Sequence, residues 1–243
     1  VFTGTDPATG KMTIMASLRP GTAWGAPVNI ASAGGVISLV ARENLAGGWV
    51  VAWSEIDASD VGNPYPISTI KYAVSDATGA TWSAPKELTS NLDAMFDLKL
   101  VSAGDTLVLT YLSTAEGPRG ENRSLFSTLW DGTKWSTPEL RIPSQPIQTY
   151  DSAGNSLDGS LLTAATGKGG LLSLRWDGRT WTASQSIATN AGGAISLRFS
   201  NADVAVLAWE NSQGSIAFSM YDAIFGEWTH LSIPIQDASP DDC

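Results

Sequence analysis

The sequence predicts an all-β chain, and three observations carry that reading. One short stretch is written five times. Trp176-Asp177-Gly178-Arg179-Thr180-Trp181 has a near-copy at Trp130-Asp131-Gly132-Thr133-Lys134-Trp135 and looser copies that close on Trp24, Trp82 and Trp228. The closing tryptophans, at 24, 82, 135, 181 and 228, lie 58, 53, 46 and 47 residues apart. Each period holds short alternating apolar runs divided by Gly, Asn, Asp and Pro, and none has helical spacing. A period of about 50 residues built from short strands is the pattern of propeller blades. The prediction is therefore a β-propeller of four-stranded antiparallel blades, four complete and one partial.

Units at 1–32, 33–90, 91–143, 144–189 and 190–235, with a tail at 236–243, make up one propeller domain or a segment of one. The first unit is incomplete: 1–5 reads as the end of a second strand, 11–18 as a third and 23–30 as a fourth. Strands follow at 36–42, 49–54, 69–75 and 81–88 in the second unit, and at 96–102, 106–112, 124–130 and 134–140 in the third. The fourth unit has strands at 147–152, 160–165, 171–176 and 180–187. In the last they fall at 194–200, 204–209, 215–221 and 227–233. The run 204–209, Val-Ala-Val-Leu-Ala-Trp, is mostly apolar and is expected to be buried on both faces. Residues 236–243 could supply one missing strand at most. Three readings of the ring stay open: a fragment of a larger propeller, a processed chain completed by a partner polypeptide, or a five-bladed ring with one thin blade. The first two are favoured. Opening at Val1 in mid-repeat leads us to expect an upstream segment.

The repeat has a physical reason. Its Asp-Gly pair falls between third and fourth strands, where a tight turn needs positive φ; Gly supplies it, and Asp accepts turn N–H groups. The repeat positions are Asp76, Gly79 and Trp82; Asp131, Gly132 and Trp135; Asp177, Gly178 and Trp181; and Asp222, Gly226 and Trp228. The tryptophans offer large apolar area to fill the gap between sheets. The Pro that often follows suits an edge strand, which can spare a donor.

These residues resemble the Asp-box, or BNR, repeat of sialidase-like β-propellers, Ser/Thr-x-Asp-x-Gly-x-Thr-Trp. Ser75, Gly79, Thr81 and Trp82 fall at the family's positions; Asp76 is one residue early, and the third and fourth units keep a shorter Asp-Gly-x-x-Trp. The resemblance implies a structural role for the motif, in a superfamily that includes sialidases, other glycosidases, lectin-like binders and sorting receptors.

Composition narrows the partners. The 243 residues are 43% hydrophobic, enough for a substantial core, and only 16% charged. A net charge of −10, from 24 acidic and 14 basic residues, disfavours nucleic acid and anionic membranes. No apolar run approaches the roughly 20 residues of a membrane helix, and no signal peptide is visible. The single cysteine, Cys243, can pair only with another chain. Poverty in Lys and Cys with abundant Ser, Thr, Gly and Trp fits a secreted or cell-surface protein.

A site like that of the sialidases would need, by the resemblance, three arginines, an acid/base Asp and a Tyr–Glu pair. Arg42 and Arg198, with Lys99, fall on innermost strands, where side chains can face a central channel. The family's Phe/Tyr-Arg-Ile-Pro motif is absent near the first blade; Leu140-Arg141-Ile142-Pro143 echoes it on an outer strand. Tyr150-Asp151 is the nearest to a nucleophile pair. Glu55 and Glu210 follow Trp53 and Trp209 at what read as matching strand ends, and two carboxylates about 5–9 Å apart can hydrolyse glycosides. The only histidine, His230, has no evident partner. Oxygen-rich loops occur at 57–60, at Asp93 with Asp97, and at Asp151, Asn155 and Asp158. No cofactor is expected, with Ca²⁺, which oxygen ligands suit, as the alternative.

Binding without chemistry is the main expectation. The longest insertions, 55–68 and 114–123, both join second and third strands and would crowd one face. Tyr65, Arg119, Glu121 and Arg123 are the candidate contacts there, with Arg42, Arg198 and Tyr150 at the channel. The sequence thus predicts a non-catalytic binding or scaffolding module for a glycan or protein, completed by a second polypeptide or chain segment. The alternative is a sialidase-like glycoside hydrolase with part of its site supplied elsewhere.

Overall fold

The structure is a computed structural model and describes residues 1–6, 9–19, 22–56, 67–93, 96–113, 123–201 and 203–231. Among these residues there are nineteen strands and no helix, so no helix is long and apolar enough to cross a membrane. The first sheet holds β1 (Phe2–Thr5), β2 (Met12–Ala16) and β3 (Val28–Ala33). The second holds β4 (Gly35–Glu43), β5 (Trp49–Ile56), β6 (Ile67–Val74) and β7 (Lys86–Asp93). The third holds β8 (Phe96–Ala103), β9 (Thr106–Ser113), β10 (Arg123–Trp130) and β11 (Glu139–Gln145). The fourth holds β12 (Ile147–Gly154), β13 (Leu161–Gly167), β14 (Gly170–Trp176) and β15 (Gln185–Ala188). The fifth holds β16 (Ala191–Phe199), β17 (Val204–Asn211), β18 (Ile216–Asp222) and β19 (Glu227–Leu231). Every sheet is an antiparallel meander in chain order, which short connections enforce. The chain divides into two compact units, Val1–Ser144 and Gln145–Cys243.

Within each unit, sheets pack face to face on apolar side chains. In the first unit Val50, Ala52, Ile70 and Tyr72 of the second sheet meet Leu98, Leu107, Leu109 and Trp130 of the third. Ile14, Ala16 and Ile30 of the first sheet pack with Val51, Trp53 and Ala73. In the second unit Leu162, Ala164 and Leu171 pack with Leu197, Leu207, Trp209 and Tyr221. β9 buries Leu107, Val108, Leu109 and Tyr111 completely. Each such side chain contributes roughly 1.5–3 kcal/mol on burial.

Two expectations are corrected. The run 204–209 is not buried on both faces: Ala205, Leu207 and Trp209 are buried, whereas Val206 and Ala208 on the opposite face are half-buried. Its composition matches that of β9, but its second face lacks equal cover. The fourth strands also start later than the turns suggest. Ser75↔Trp82, Trp130↔Trp135 and Trp176↔Trp181 are isolated bridges, and β3, β7 and β11 begin at the residue after Pro27, Pro85 and Pro138.

A hydroxyl explains the gap. Ser136 N donates to Leu129 O at 2.8 Å, while Leu129 N donates back to Ser136 Oγ at 3.0 Å instead of to a backbone carbonyl. Ser83 does the same for Val74, and Thr182 for Arg175. The ladder step is satisfied without strand backbone, and in the second and third units the following Pro85 and Pro138 have no N–H to continue it. In the fifth sheet Asp222 and Tyr221 pair directly with Glu227 and Trp228, and β19 runs straight from the turn.

Candidate functional site

The repeat turns are structural. Asp131 Oδ1 accepts Thr133 N and Lys134 N, both at 2.9 Å; Asp177 Oδ1 accepts Arg179 N and Thr180 N, both at 2.8 Å. Asp76 and Asp222 serve their turns likewise. Gly79, Gly132, Gly178 and Gly226 have φ of +71°, +96°, +96° and +72°, the left-handed region where a side chain is strained. At Gly79 a Cβ would also stand 2.4 Å from Leu18 Cδ1.

Trp82, Trp135 and Trp228 pack against the preceding sheet, and there the pairing of sheets two and three differs from that of sheets four and five. The residue cross-strand from the closing tryptophan is Trp130 in the third sheet and Tyr221 in the fifth. In the third, Tyr72 of β6 fills the space beneath: its ring centroid lies 5.7 Å from Trp130 and 6.1 Å from Trp135, both edge-on. In the fifth, Tyr221 and Trp228 sit 5.1 Å apart, and the residue of β14 at the Tyr72 position is Ser173. Trp228 Nε1 donates to Ser173 Oγ at 2.8 Å. Serine leaves open the volume that tyrosine occupies.

What remains is a cleft of about 100 Å³ lined by Leu162, Ser173, Arg175, Gln185, Tyr221 and Trp228. Among the described residues Arg175 Nε is buried without a hydrogen-bond acceptor, and its Nη2 lies 3.8 Å from Asp158 Oδ2. Burial raises the Tyr221 phenol above its ordinary range; Arg175 opposes this, while Asp158 and Asp222 add to it. A forked cation, an amide and two aromatic rings at one opening suit a ligand with hydroxyls on one side and C–H groups on the other.

The sequence candidates are placed as follows. Tyr65, Arg119, Glu121 and Cys243 lie outside the described residues. Arg123 is half-buried at the start of β10. Arg42 is exposed on β4, its Nη1 donating to Ala41 O at 3.2 Å. Tyr150 is 1% exposed, so its ring belongs to the core. Arg198 does meet Asp151: Nη1 donates to Oδ2 at 2.8 Å, and the same oxygen accepts Leu197 N at 2.9 Å. Asp151 thereby joins β12 to β16.

The three oxygen ligands do not converge. Asp151 and Asn155 are four positions apart, roughly 13 Å of extended chain. Asn155 Oδ1 accepts Leu157 N, and Asp158 Oδ1 accepts Ser160 N, so both serve their own turn. Among the described residues no three His, Cys, Asp or Glu side chains are placed to hold a metal.

Glu55 and Glu210 are not at matching positions. Glu55 pairs with Thr69 and Glu210 with Ile216; counted from Ser75 and Tyr221, Glu210 corresponds to Ser54. A one-residue offset turns a strand side chain to the other face. Burial alone would raise the Glu55 carboxyl, but the Gly34 N–H, Lys71 and the Trp53 indole outweigh it and hold the group below its ordinary value. Lys71 Nζ stands 3.0 Å away.

Ser173, Arg175, Gln185 and Tyr221 were not among the sequence candidates. The available signal was a comparison of third strands three residues before the bridging residue: Tyr72, Ser127, Ser173 and Phe218. The cleft lies where Ser173 stands in that series, while Ser127, equally small, accepts Arg141 Nε at 2.7 Å.

No protein-family model matches the chain, and no curated protein sequence does. Solved structures do. The NanB sialidase of Streptococcus pneumoniae superposes with a TM-score of 0.58 at 11% identity, over 96% of this chain and 58% of that one. An α-L-arabinanase of Penicillium chrysogenum, solved with arabinobiose, gives 0.54 at 12% identity over 94% and 75%. The fucose-binding lectin of Aleuria aurantia, a six-bladed β-propeller, gives 0.53 at 16% identity over 98% and 74%. The chain thus spans little more than half the length of the sialidase. At these identities the likeness is one of fold: an all-β chain of antiparallel sheets similar to those of β-propellers.

Proposed function

We propose that the chain is a non-catalytic saccharide-binding module whose five sheets are propeller blades, four complete and one three-stranded, and that the cleft between β14 and β19 takes the sugar. The observation that carries this is Ser173 in the place of Tyr72. It opens a space beside Tyr221 and Trp228 with the Arg175 guanidinium in its wall. Aromatic faces stack against sugar C–H groups, and Arg and Gln donate to ring hydroxyls. The structurally similar proteins support the reading, since two act on or bind sugars by their names. The turn geometry of Asp76, Asp131 and Asp177 supports assignment of the repeat to the Asp-box pattern. Binding rather than hydrolysis is supported by Glu55, tied to Lys71 and out of step with Glu210. A secreted or surface location belongs to the same proposal and rests on composition.

The test is a titration of the 243-residue chain with a panel of methyl pyranosides, read by ligand-observed NMR. At least one should bind with Kd on the order of 1 mM, about 4 kcal/mol. Arg175→Gln should weaken that binding tenfold or more. Absence of binding across the panel, or binding indifferent to Arg175, would overturn the proposal; turnover of an aryl glycoside would favour the hydrolase reading instead.

A further inference from the structure

The register brings a repeated surface to light on the fifth sheet. Val206 pairs with Met220, Ala208 with Phe218 and Glu210 with Ile216, as Val50 pairs with Val74, Ala52 with Tyr72 and Ser54 with Ile70 in the second. Counted from Tyr221 and Ser75, these pairs occupy the same places. The outer face of the fifth sheet therefore presents Val206, Ala208, Ile216, Phe218 and Met220 where the second has Val50, Ala52, Ile70, Tyr72 and Val74. On the second sheet that surface receives the third: Val50, Ala52 and Ile70 are fully buried, and Tyr72 meets Trp130 and Trp135. On the fifth, Ile216 is 43% and Met220 36% exposed.

The first sheet carries the counterpart. Gly25 N donates to Leu18 O at 2.8 Å, as Ser136 N donates to Leu129 O, so Trp24 stands where Trp135 stands. Trp82, Trp135 and Trp228 are each half-buried against the preceding sheet. Trp24 is 68% exposed and, with Val1, Phe2 and Pro27, lines an apolar hollow of about 460 Å³. One polypeptide thus bears both halves of an interface it already makes between its own sheets: a socket on the fifth sheet and a tryptophan on the first.

We propose that a second copy of this chain docks here head to tail, Trp24 of one molecule entering against Phe218 and Met220 of the next. The repeat argues for this occupant, because the socket repeats the Trp135 site with Phe218 for Tyr72, Met220 for Val74 and Glu210 for Ser54, and Trp24 is the closing tryptophan left most exposed. Both faces are mainly apolar, with Glu210 at one end of the socket, and the thioether of Met220 suits an aromatic partner. The contact is heterologous, so each bound copy leaves one face of each kind free.

Sedimentation velocity of the 243-residue chain from micromolar to hundreds of micromolar tests this. The weight-average mass should climb beyond one chain with concentration. Trp24→Glu and Met220→Glu alter exposed positions and should fold, as thermal unfolding would verify; each alone should remain a single chain. Mixed in equal amounts they should form a species of two chains and no larger, since each supplies one intact face. A single-chain mass for the unaltered protein throughout, whatever else covers Trp24, would overturn the proposal. So would variants that associate as the unaltered protein does, or a mixture that stays monomeric.

Discussion

Trp228 Nε1 donates to Ser173 Oγ at 2.8 Å, and that bond exists because serine stands where the second sheet has Tyr72. The same sheet-on-sheet packing thus has two endings, one filled by a ring and one open. Ser173→Tyr should close the open one. Tyr72 between Trp130 and Trp135 is a working precedent for the packing, so thermal stability should hold within a few degrees while sugar binding is lost. Ser173→Ala separates the two effects: the cleft stays open, and the indole N–H loses its acceptor, costing about 1 kcal/mol. Calorimetric melting and the same NMR titration read both variants; a Ser173→Tyr protein that still binds sugar would place the site elsewhere.

Asp151 should matter more to stability than the arginine it holds. Its Oδ2 accepts Leu197 N at 2.9 Å and Arg198 Nη1 at 2.8 Å, and its Oδ1 accepts Ser152 N. Leu197 is fully buried, whereas the Arg198 side chain is 70% exposed. Asp151→Ala leaves a buried backbone donor without its acceptor, at about 1–3 kcal/mol. Arg198→Ala removes a solvent-screened charge and should cost under about 1 kcal/mol. Urea unfolding of the two variants checks the order. Equal losses would mean that the ion pair, not the backbone contact, joins β12 to β16.

Much of the fold was legible because its signals are local. Asp177-Gly178 encodes a turn within four residues, and its spacing from Asp131-Gly132 encodes the repeat. The late fourth strands were not legible, because Ser136 Oγ imitates a strand carbonyl and keeps the ladder satisfied where backbone pairing has lapsed. The half-covered face of β17 was equally hidden: Val206 and Ala208 read as core by composition, and only neighbours decide whether they become so. The cleft depends on a difference between Tyr72 and Ser173, about a hundred residues apart, that acquires meaning only when two sheets are laid on equivalent partners. Candidates chosen for charge fared by their surroundings: Arg198 found Asp151 across two sheets, while Tyr150, chosen as a reactive phenol, packs in the core.

The Asp turns should give the protein an acid limit. The Thr81 hydroxyl, then Thr78 and the Ala80 N–H, hold the Asp76 carboxyl down to about 2. The Lys134 N–H lowers Asp131, and the Thr180 N–H lowers Asp177. Unfolded, an aspartate titrates near 3.9. A folded-state value below the unfolded one means the unfolded chain binds protons first as pH falls. The contribution of these turns is therefore present above the unfolded value and is lost as pH falls through the lowered folded values, about 2 for Asp76. Thermal midpoints should be level from neutrality to about pH 5 and fall steeply between about 4 and 2. Asp76→Asn removes one titrating group while retaining an acceptor for the turn N–H groups, so its midpoint should start lower and fall less over the acid range. An unchanged acid slope in that variant, followed by circular dichroism, would show that carboxylates outside the repeat set the limit.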